Sequence, residues 1–249
     1  ILMATNHLVI AVRLGQCDEM NDSAPRSQLL VRSRLGSPEA WLFDLDNTLY
    51  PAASNLFDQI DQRMGVYISN LLGISQERAR ELQKRYYRDH GTTLNGLMSH
   101  HAADPDAYLE YIHDIDLTVI SSAPSLAAAL SRLPGRKIVF TNGSVGHAER
   151  VMARLGVTNY FEGIHDIKAS EYKPKPAYAA YRSVISRFGL TAGSVVMIDD
   201  IPTNLEPAAK LGVTTVWVRN DRWASYVAGD HIDHVTDDLA EWLARIAIE

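Results

Sequence analysis

From residue 41 onward, short apolar segments alternate along the chain with amphipathic segments of helical period. This alternation is typical of a βα chain that builds a parallel sheet. Three of the predicted strands lead directly into polar residues, at Asp44, Thr141 and Asp199. Because ligands of open α/β sheets bind beyond the carboxyl ends of the strands, these positions are the first candidates for a functional site. The predicted strands are WLFD (41–44), KIVFT (137–141), GIHDI (163–167), VVMI (195–198) and VTTVWV (213–218).

The segments that follow the later strands predict helices that cover the sheet. Residues 145–156, VGHAERVMARLG, place their apolar residues on one face and stop at Gly156, a residue type that often ends helices. Residues 177–189, AYAAYRSVISRFG, repeat this arrangement before Gly189. Residues 237–246, DDLAEWLARI, predict a terminal helix that docks on the sheet.

The connection between the first two predicted strands, residues 51–135, is far longer than an ordinary βα connection. Its runs 54–73, 75–91 and 106–114 have helical character, with Ser75 a candidate N-cap. We therefore predict a helical module inserted directly after the first strand, where it would lie over the site as a lid.

These patterns predict three regions along the chain. The α/β core comprises residues 41–52 and 123–249, and the inserted helical module comprises residues 53–122. Residues 1–40 show no sustained period of 2 or 3.6, so we expect a partly disordered N-terminal extension, with a docked N-terminal arm as the alternative.

Composition and charge narrow the classes of partner. A hydrophobic content of 46% in 249 residues is enough for a full core. The net charge of −6 argues against binding to a nucleic acid polymer or to an acidic membrane. The lone Cys17 cannot form an intramolecular disulfide, and no apolar run approaches the roughly 18 residues that span a bilayer. The first residues also lack the basic segment and cleavage site of a secretion signal, so we expect a cytoplasmic protein.

Two aspartates, Asp44 and Asp46, stand at the end of the first predicted strand and precede the hydroxyl of Thr48. In extended chain, residues i and i+2 point to the same side, so both carboxylates can face one point. Like charges at such close range raise each other's proton affinity. The pair therefore needs either a shared proton or a cation.

Four polar motifs each follow, or lie close after, a predicted strand: DLDNT (44–48), TNGS (141–144), KPKP (173–176) and DDIPTN (199–204). In this order and at these intervals they resemble the motifs of the haloacid dehalogenase superfamily of phosphohydrolases, and the resemblance covers nearly everything after residue 40. It implies a Rossmann-like parallel sheet core with a movable helical cap inserted after the first strand. Dehalogenases on this core need neither an acid at the position of Asp46 nor a metal, so the motif set favours hydrolysis of phosphate esters.

The resemblance also assigns roles to the first and last motifs. Asp44 is expected to be the nucleophile that takes the phosphoryl group, and Asp46 the acid that protonates the leaving oxygen and later the base for water. The expected cofactor is Mg²⁺, which prefers oxygen ligands. Its expected ligands are Asp44, the backbone carbonyl of Asp46 and Asp200, with Asp199 as the neighbouring acid.

The middle motifs are expected to bind the phosphoryl group. Thr141 matches the hydroxyl that donates to phosphate oxygens, and Asn142 helps to orient it. Lys173 is expected to supply the positive charge that holds nucleophile and phosphate together, although Lys175 lies close to it in the sequence. Thr48 is a candidate substrate contact. Tyr50, which follows the aspartates, either packs under the inserted helices or lines the pocket.

The inserted module carries most of the information on substrate choice. Its run GTTLNGL, residues 91–97, and the flanking segments resemble the pyrimidine 5′-nucleotidase branch of the superfamily. The resemblance implies a pyrimidine nucleoside monophosphate as substrate. Gly91 and Gly96 would let backbone amides approach the ligand, and Thr92, Thr93 and Asn95 would contact it. The same threonines and asparagine are also ordinary turn and capping residues.

Two alternatives remain open at this stage. One is a phosphatase or phosphomutase for sugar phosphates or phosphoglycolate on the same core. The other is a non-catalytic nucleotide-binding module. Such a module could lose the acid at position 46 with little penalty, whereas this sequence has Asp46.

Overall fold

The computed structural model describes residue 35 and residues 37–246 of the chain. The prediction of an N-terminal extension over residues 1–40 falls almost entirely outside these residues.

The described residues form one six-stranded parallel sheet. The strands are β1 (Ala40–Phe43), β2 (Arg136–Phe140), β3 (Gly163–His165), β4 (Val195–Asp199), β5 (Thr214–Val218) and β6 (His234–Thr236). Their order across the sheet is β3-β2-β1-β4-β5-β6. This confirms the predicted α/β fold with a Rossmann-like parallel sheet. Five strands agree with the predicted ones to within about two residues, whereas the short edge strand β6 was not predicted because its sequence, HVT, has no apolar run.

Nine α-helices accompany the sheet within the described residues. The Ser75 side chain accepts a hydrogen bond from the Arg78 amide, which confirms the predicted N-cap. The helices are α1 (Leu56–Leu72), α2 (Gln76–His90), α3 (Thr93–His101), α4 (Pro105–His113), α5 (Pro124–Arg132), α6 (Val145–Leu155), α7 (Tyr178–Phe188), α8 (Pro202–Lys210) and α9 (Leu239–Ile246).

The sheet is the middle of three layers, because side chains alternate between its faces along each strand. Trp41 and Phe43 of β1 point into the cluster that contains buried residues of α5, α6 and α9. Leu42, between them, points into the opposite cluster with α7 and α8. Both faces of the sheet are therefore covered, which is the usual condition of a parallel sheet.

The helices α1 to α4 all lie between β1 and β2 and enclose a separate hydrophobic cluster that includes Ile68, Leu97 and Tyr108. The sequence predicted helices close to α1, α2 and α4. It did not predict α3: the run GTTLNGL was expected to approach a ligand between two helical segments, but helix α3 begins at Thr93 within it. The division into a core and a module at the predicted bounds remains a proposal.

Within the part of the chain that the structure describes, no helix has both the length and the apolar character needed to cross a membrane.

Gly96 tests how tightly α2 and α3 pack. A Cβ atom added at Gly96 would lie 2.2 Å from Cγ and 2.5 Å from Cβ of Tyr86, so the two helices would have to move apart. We expect Gly96→Ala to lower the free energy of unfolding by about 2 kcal/mol, the usual cost of overpacking a core. Urea denaturation followed by circular dichroism measures this change.

Gly65 in α1 provides the matched control. It is also a buried helical glycine, but the nearest atom to an added Cβ is 3.5 Å away. Gly65→Ala should therefore leave stability unchanged or raise it by up to about 1 kcal/mol, because alanine favours the helix. Equal effects of the two substitutions would contradict the close helix contact.

Candidate active site

The polar residues predicted from the strand ends meet at the centre of the carboxyl edge of the sheet. Asp44 directly follows β1, and Asp199 is the last residue of β4, the neighbouring strand. The Asp44 amide donates to the Ile198 carbonyl at 2.9 Å, which continues the β1–β4 pairing as far as the site. The strand order reverses beside β1, and this switch point is where open α/β sheets bind ligands.

The DLDNT loop presents its aspartates by burying the residue between them. Leu45 is fully buried in the hydrophobic cluster below the loop. Asn47 then adopts the left-handed conformation with φ 61°, which asparagine tolerates better than most residues and which turns the chain. The Thr48 hydroxyl donates to Asp44 Oδ2 at 3.2 Å, so its observed contact is with the predicted nucleophile.

Three buried carboxylates, those of Asp44, Asp199 and Asp200, lie close enough to share one ion. One oxygen of each lies within 4.8 Å of the other two. Burial raises the pKa of Asp44 to about 7, and the charge of Asp199 contributes to the shift. Burial, followed by the charges of Asp44 and Asp199, also raises the pKa of Asp200 well above its usual value. The protein alone therefore holds these carboxylates in an environment that disfavours their charged forms.

Lys175 is the lysine that reaches this cluster. Its Nζ lies 2.7 Å from Asp44 Oδ1 and 2.6 Å from Asp199 Oδ2, and its side chain is only 1% exposed. Burial opposes the charge of this ammonium, but the two carboxylates raise its pKa above the ordinary value. Asn142 fixes the loop, because its side chain accepts from the Lys175 amide at 2.8 Å and donates to the Lys175 carbonyl at 3.1 Å.

The sequence-based choice of Lys173 is therefore corrected to Lys175. The Lys173 side chain is 54% exposed and pairs with Glu171 at 2.9 Å, outside the carboxylate cluster. Both lysines belong to one K-P-K-P run, so the pattern alone did not distinguish them. The distinction comes from the bonds of Asn142 to the backbone of Lys175, which direct that residue inward.

A cation would balance the charges of the cluster in its fully ionised form. Three ionised carboxylates and one ammonium leave a net charge of −2. A divalent ion with a preference for oxygen ligands, such as Mg²⁺, fits this donor set in both charge and chemistry. The predicted ligands Asp44, Asp200 and Asp199 therefore lie together, and Asp46, predicted to bind through its backbone carbonyl, belongs to the same loop as Asp44.

Some of the carboxylate oxygens already accept hydrogen bonds from neighbouring residues. Asp199 accepts from the Ile201 amide at 2.9 Å and from the Asn204 side chain at 3.0 and 3.2 Å, in addition to Lys175. Asp200 accepts through Oδ2 from Asn220 at 2.9 Å. Asp199 is thus the more fully engaged of the two, which agrees with an outer role for it and a direct role for Asp200.

Asp46 lies in a different electrostatic environment from Asp44. Burial opposes its charge, but His147 and the hydroxyl of Tyr50 outweigh burial and lower the pKa of Asp46 below its usual value. The His147 Nε2 and the Tyr50 hydroxyl lie 2.8 and 2.6 Å from Asp46 Oδ1. In the absence of substrate the Asp46 carboxyl is therefore ionised at neutral pH.

Sequence analysis missed His147 and left Tyr50 undecided. His147 lies on α6, six residues after Thr141, and looked like one more position of an amphipathic helix. Its burial at 0% exposure, together with a hydrogen bond to a carboxylate 101 residues away, becomes visible only in three dimensions. The proximity of His147 to the TNGS motif was the available signal.

Thr141 lies buried at the end of β2. Its Oγ1 accepts a hydrogen bond from the Gly143 amide at 2.9 Å, which leaves the hydroxyl hydrogen for another acceptor. This arrangement is compatible with the predicted donation to a phosphate oxygen.

The predicted substrate contacts of the helical module make contacts within the protein. Thr92 is the N-cap of α3, and Thr93 is buried with its hydroxyl 3.4 Å from the Gln83 carbonyl. Asn95 donates to the carbonyls of His90 and Tyr172 at 3.3 and 2.9 Å. Gly91, with φ 78°, ends α2, and an added Cβ would lie 3.0 Å from Pro174. A direct role of these residues in substrate binding stays a prediction.

The fold and the site together define an α/β protein with three buried carboxylates at the sheet's switch point, in an arrangement suited to a cation. Residues 38–212 match the haloacid dehalogenase-like hydrolase family. The chain belongs to that family.

Curated relatives are about one quarter identical to this chain over the aligned residues. Phosphate metabolism protein 8 of Saccharomyces cerevisiae is 26% identical over 70% of this chain, although the match spans only 60% of the yeast protein. A glyceraldehyde 3-phosphate phosphatase of Methanocaldococcus jannaschii is 25% identical over 80% of this chain and 93% of its own length. A phosphoglycolate phosphatase of Rhodospirillum rubrum is 25% identical over 83% and 91%.

Solved structures confirm the fold. A mutant of CbbY from Rhodobacter sphaeroides, in complex with xylulose-1,5-bisphosphate, superposes with a TM-score of 0.58 at 19% identity. The match covers 82% of this chain and 96% of that one.

Mg²⁺ should stabilise the protein through the carboxylate cluster. At a concentration 100-fold above its dissociation constant, an ion that binds only the native state adds about 2.7 kcal/mol of stability, or roughly 5–10 °C in melting temperature for a chain of this size. Asp200→Asn should raise the melting temperature in EDTA, because it relieves like-charge repulsion, and should abolish most of the Mg²⁺-induced increase. Differential scanning fluorimetry measures both effects.

Asp230→Asn, at an exposed position, is the matched control and should keep the full response to Mg²⁺. If Asp200→Asn responded to Mg²⁺ as strongly as the wild type, the cluster would not be the binding site.

Proposed function

We propose that the protein is a Mg²⁺-dependent phosphomonoester hydrolase that acts on small phosphorylated metabolites through an aspartyl-phosphate intermediate. The observation that carries this proposal is the pairing of Asp44 with Lys175 in a cluster of charge −2, next to a second aspartate held in a different environment. A phosphate dianion would be repelled by bare carboxylates, so an acidic phosphate site needs both the lysine and a cation.

Asp44 is the proposed nucleophile. Its oxygen forms a bond to phosphorus while the bond from phosphorus to the ester oxygen breaks, and the proton on Asp46 passes to that ester oxygen. Asp46 is ionised in the free protein, but a bound, negatively charged phosphoryl group favours its protonated form. A phosphomonoester monoanion itself carries the proton that Asp46 needs.

The second half-reaction regenerates the enzyme. Asp46, now a carboxylate, accepts a proton from water as the water oxygen bonds to phosphorus and the bond to Asp44 breaks. Inorganic phosphate leaves, and atoms and charges balance over the cycle. Lys175 and the hydroxyl of Thr141 supply preorganised donors for the phosphoryl oxygens.

The proposed ligands of Mg²⁺ are Asp44, Asp200 and the backbone carbonyl of Asp46, with Asp199 nearby. When bound, Mg²⁺ supplies positive charge that screens the phosphoryl group from the carboxylates.

For the substrate class, we propose small sugar phosphates and related short-chain esters such as phosphoglycolate. Support comes from the phosphatases named for glyceraldehyde 3-phosphate and phosphoglycolate, which align along 93% and 91% of their own lengths.

A pyrimidine nucleoside monophosphate is the second candidate. The sequence of the helical module suggests it, and Tyr87 of α2 is 55% exposed on that module. Burial, followed by the charges of Asp199 and Asp200, raises the pKa of the Tyr87 hydroxyl. An exposed aromatic ring in that position is suited to stacking on a base.

The two lysines of the KPKP run give opposite expectations. Lys175→Met should lower kcat/KM at least about 100-fold, because it removes a preorganised charge from the phosphoryl site. Lys173→Met, at the exposed position, should change kcat/KM less than about twofold. Steady-state phosphate release measures both, with circular dichroism to confirm folding. A larger loss for Lys173→Met would restore the sequence-based choice.

A panel of esters tests the function and the substrate class together. We expect release of inorganic phosphate to require Mg²⁺, to stop in EDTA, and to be highest in kcat/KM for glyceraldehyde 3-phosphate or phosphoglycolate among a set that includes glucose phosphate, UMP, CMP, dTMP, AMP and GMP. Asp44→Asn should lower the activity by roughly 1,000-fold or more, because it removes the nucleophile.

Each outcome of the panel has a distinct meaning. Preference for UMP, CMP and dTMP would replace the sugar-phosphate proposal with the nucleotide one and leave the chemistry intact. Isomerised sugar phosphate without phosphate release would indicate a phosphomutase. No turnover of any ester would overturn the enzymatic proposal in favour of a binding module.

A further inference from the structure

We propose that His147 and Tyr50 are positioning residues for Asp46, and that His113 of the helical module holds His147 in place. His147 and Tyr50 both donate to one carboxylate oxygen of Asp46, so the other oxygen is left for proton transfer. This inference rests on the proposed function, since it concerns the acid step of that reaction.

Both hydrogen bonds to Asp46 converge on the same atom. The Tyr50 hydroxyl lies 2.6 Å and His147 Nε2 lies 2.8 Å from Oδ1. A carboxylate only accepts, so His147 carries its hydrogen on Nε2. Two donors on one oxygen fix the plane of the carboxyl group, and Oδ2 remains as the oxygen that can give or take a proton at the substrate.

The two donors are themselves held by the core. Tyr50 is 1% exposed and packs in the cluster under α5 and α6, and His147 is completely buried. His147 Nδ1 is also buried and has no hydrogen-bond partner within the described residues. A histidine that leaves one buried nitrogen unpaired loses stability. The bond to Asp46 is therefore the polar contact that accounts for the position of His147.

The helical module contributes a third residue. The ring of His113, at the end of α4, stacks on the ring of His147 with centroids 4.3 Å apart and an angle of 7°. His113 Nδ1 lies 3.0 Å from the Ser144 hydroxyl, which caps α6. Burial, with the neighbouring His147, lowers the pKa of His113 to about 3, so the stacked ring is neutral. The module thus packs directly on the residue that orients Asp46.

This arrangement matters most where the leaving oxygen needs a proton. In an alkyl phosphate, Asp46 must protonate the departing oxygen as the phosphorus–oxygen bond breaks and the bond to Asp44 forms. The p-nitrophenolate leaving group is stable without a proton, so its departure depends little on the acid. Loss of positioning should therefore depend on the leaving group, whereas general damage to the site should not.

The test compares kcat/KM, which reports on the first half-reaction, for the best alkyl phosphate of the panel and for p-nitrophenyl phosphate. His147→Leu should lower the value about 30-fold for the alkyl phosphate and less than about threefold for p-nitrophenyl phosphate. His147→Gln keeps an N–H donor near the same position and should recover most of the loss. Tyr50→Phe, which removes only the hydroxyl, should show the same dependence on the leaving group in a smaller amount.

A double-substitution cycle isolates the role of Asp46. In an Asp46→Asn background, His147→Leu should lower kcat/KM for the alkyl phosphate by less than about a further twofold, because the acid that His147 positions is already absent. His113→Ala should reproduce the selective loss in part, and His113→Phe, which keeps a stacking ring, should restore it. His100→Ala, a histidine on the surface of the module, is the matched control and should leave both substrates unchanged.

Equal losses on both substrates, or full additivity of His147→Leu with Asp46→Asn, would overturn the positioning role while leaving the phosphatase proposal in place. Failure of the wild type to hydrolyse any phosphomonoester would instead overturn the proposed function, and this inference with it.

Discussion

Three buried carboxylates and one buried ammonium share the carboxyl edge of the central strands. Burial disfavours their charged forms, and much of the site's arrangement offsets this cost. Like charges in a poorly solvated space raise each other's pKa, as they do for Asp44 and Asp200. Lys175 offsets part of the charge, and the side-chain amides of Asn204 and Asn220 donate to the two acids at the end of β4, Asp199 and Asp200. What remains is an excess of negative charge that a divalent cation is suited to neutralise.

The sheet makes this concentration of charge possible. Parallel strands bring their carboxyl ends to one edge, and helices on both faces bury the strands between them. The alternation of side chains then separates packing from chemistry within a few residues: Leu45 anchors the loop in the core, while its neighbours Asp44 and Asp46 remain in the polar site. A rigid scaffold of this kind holds acids in a buried site, where groups of the protein rather than solvent stabilise them.

Two aspartates separated by one residue experience different environments, and the tertiary contacts create the difference. Asp44 faces Asp199 and Lys175, whereas Asp46 faces His147 and Tyr50. Their pKa values are accordingly shifted in opposite directions. Pairs of acids with such divided environments are suited to divided roles. The helical module contributes to the environment of Asp46 through His113, which stacks on His147.

The sequence by itself determined the parallel sheet, most of its covering helices and the grouping of four motifs, because these follow from short-range periodicity and from the rule that strand ends share an edge. It did not predict α3, because the threonines and the asparagine after Gly91 are equally typical of a ligand contact, a turn and a helix cap, and only the structure shows that Thr92 is a cap. Only the tertiary structure distinguishes Lys175 from Lys173. It also shows that His147 contacts Asp46 and that His113 stacks on His147. These arrangements depend on contacts between residues far apart in the chain, such as Asn142 with Lys175 and His147 with Asp46, and local sequence patterns carry no information about such contacts.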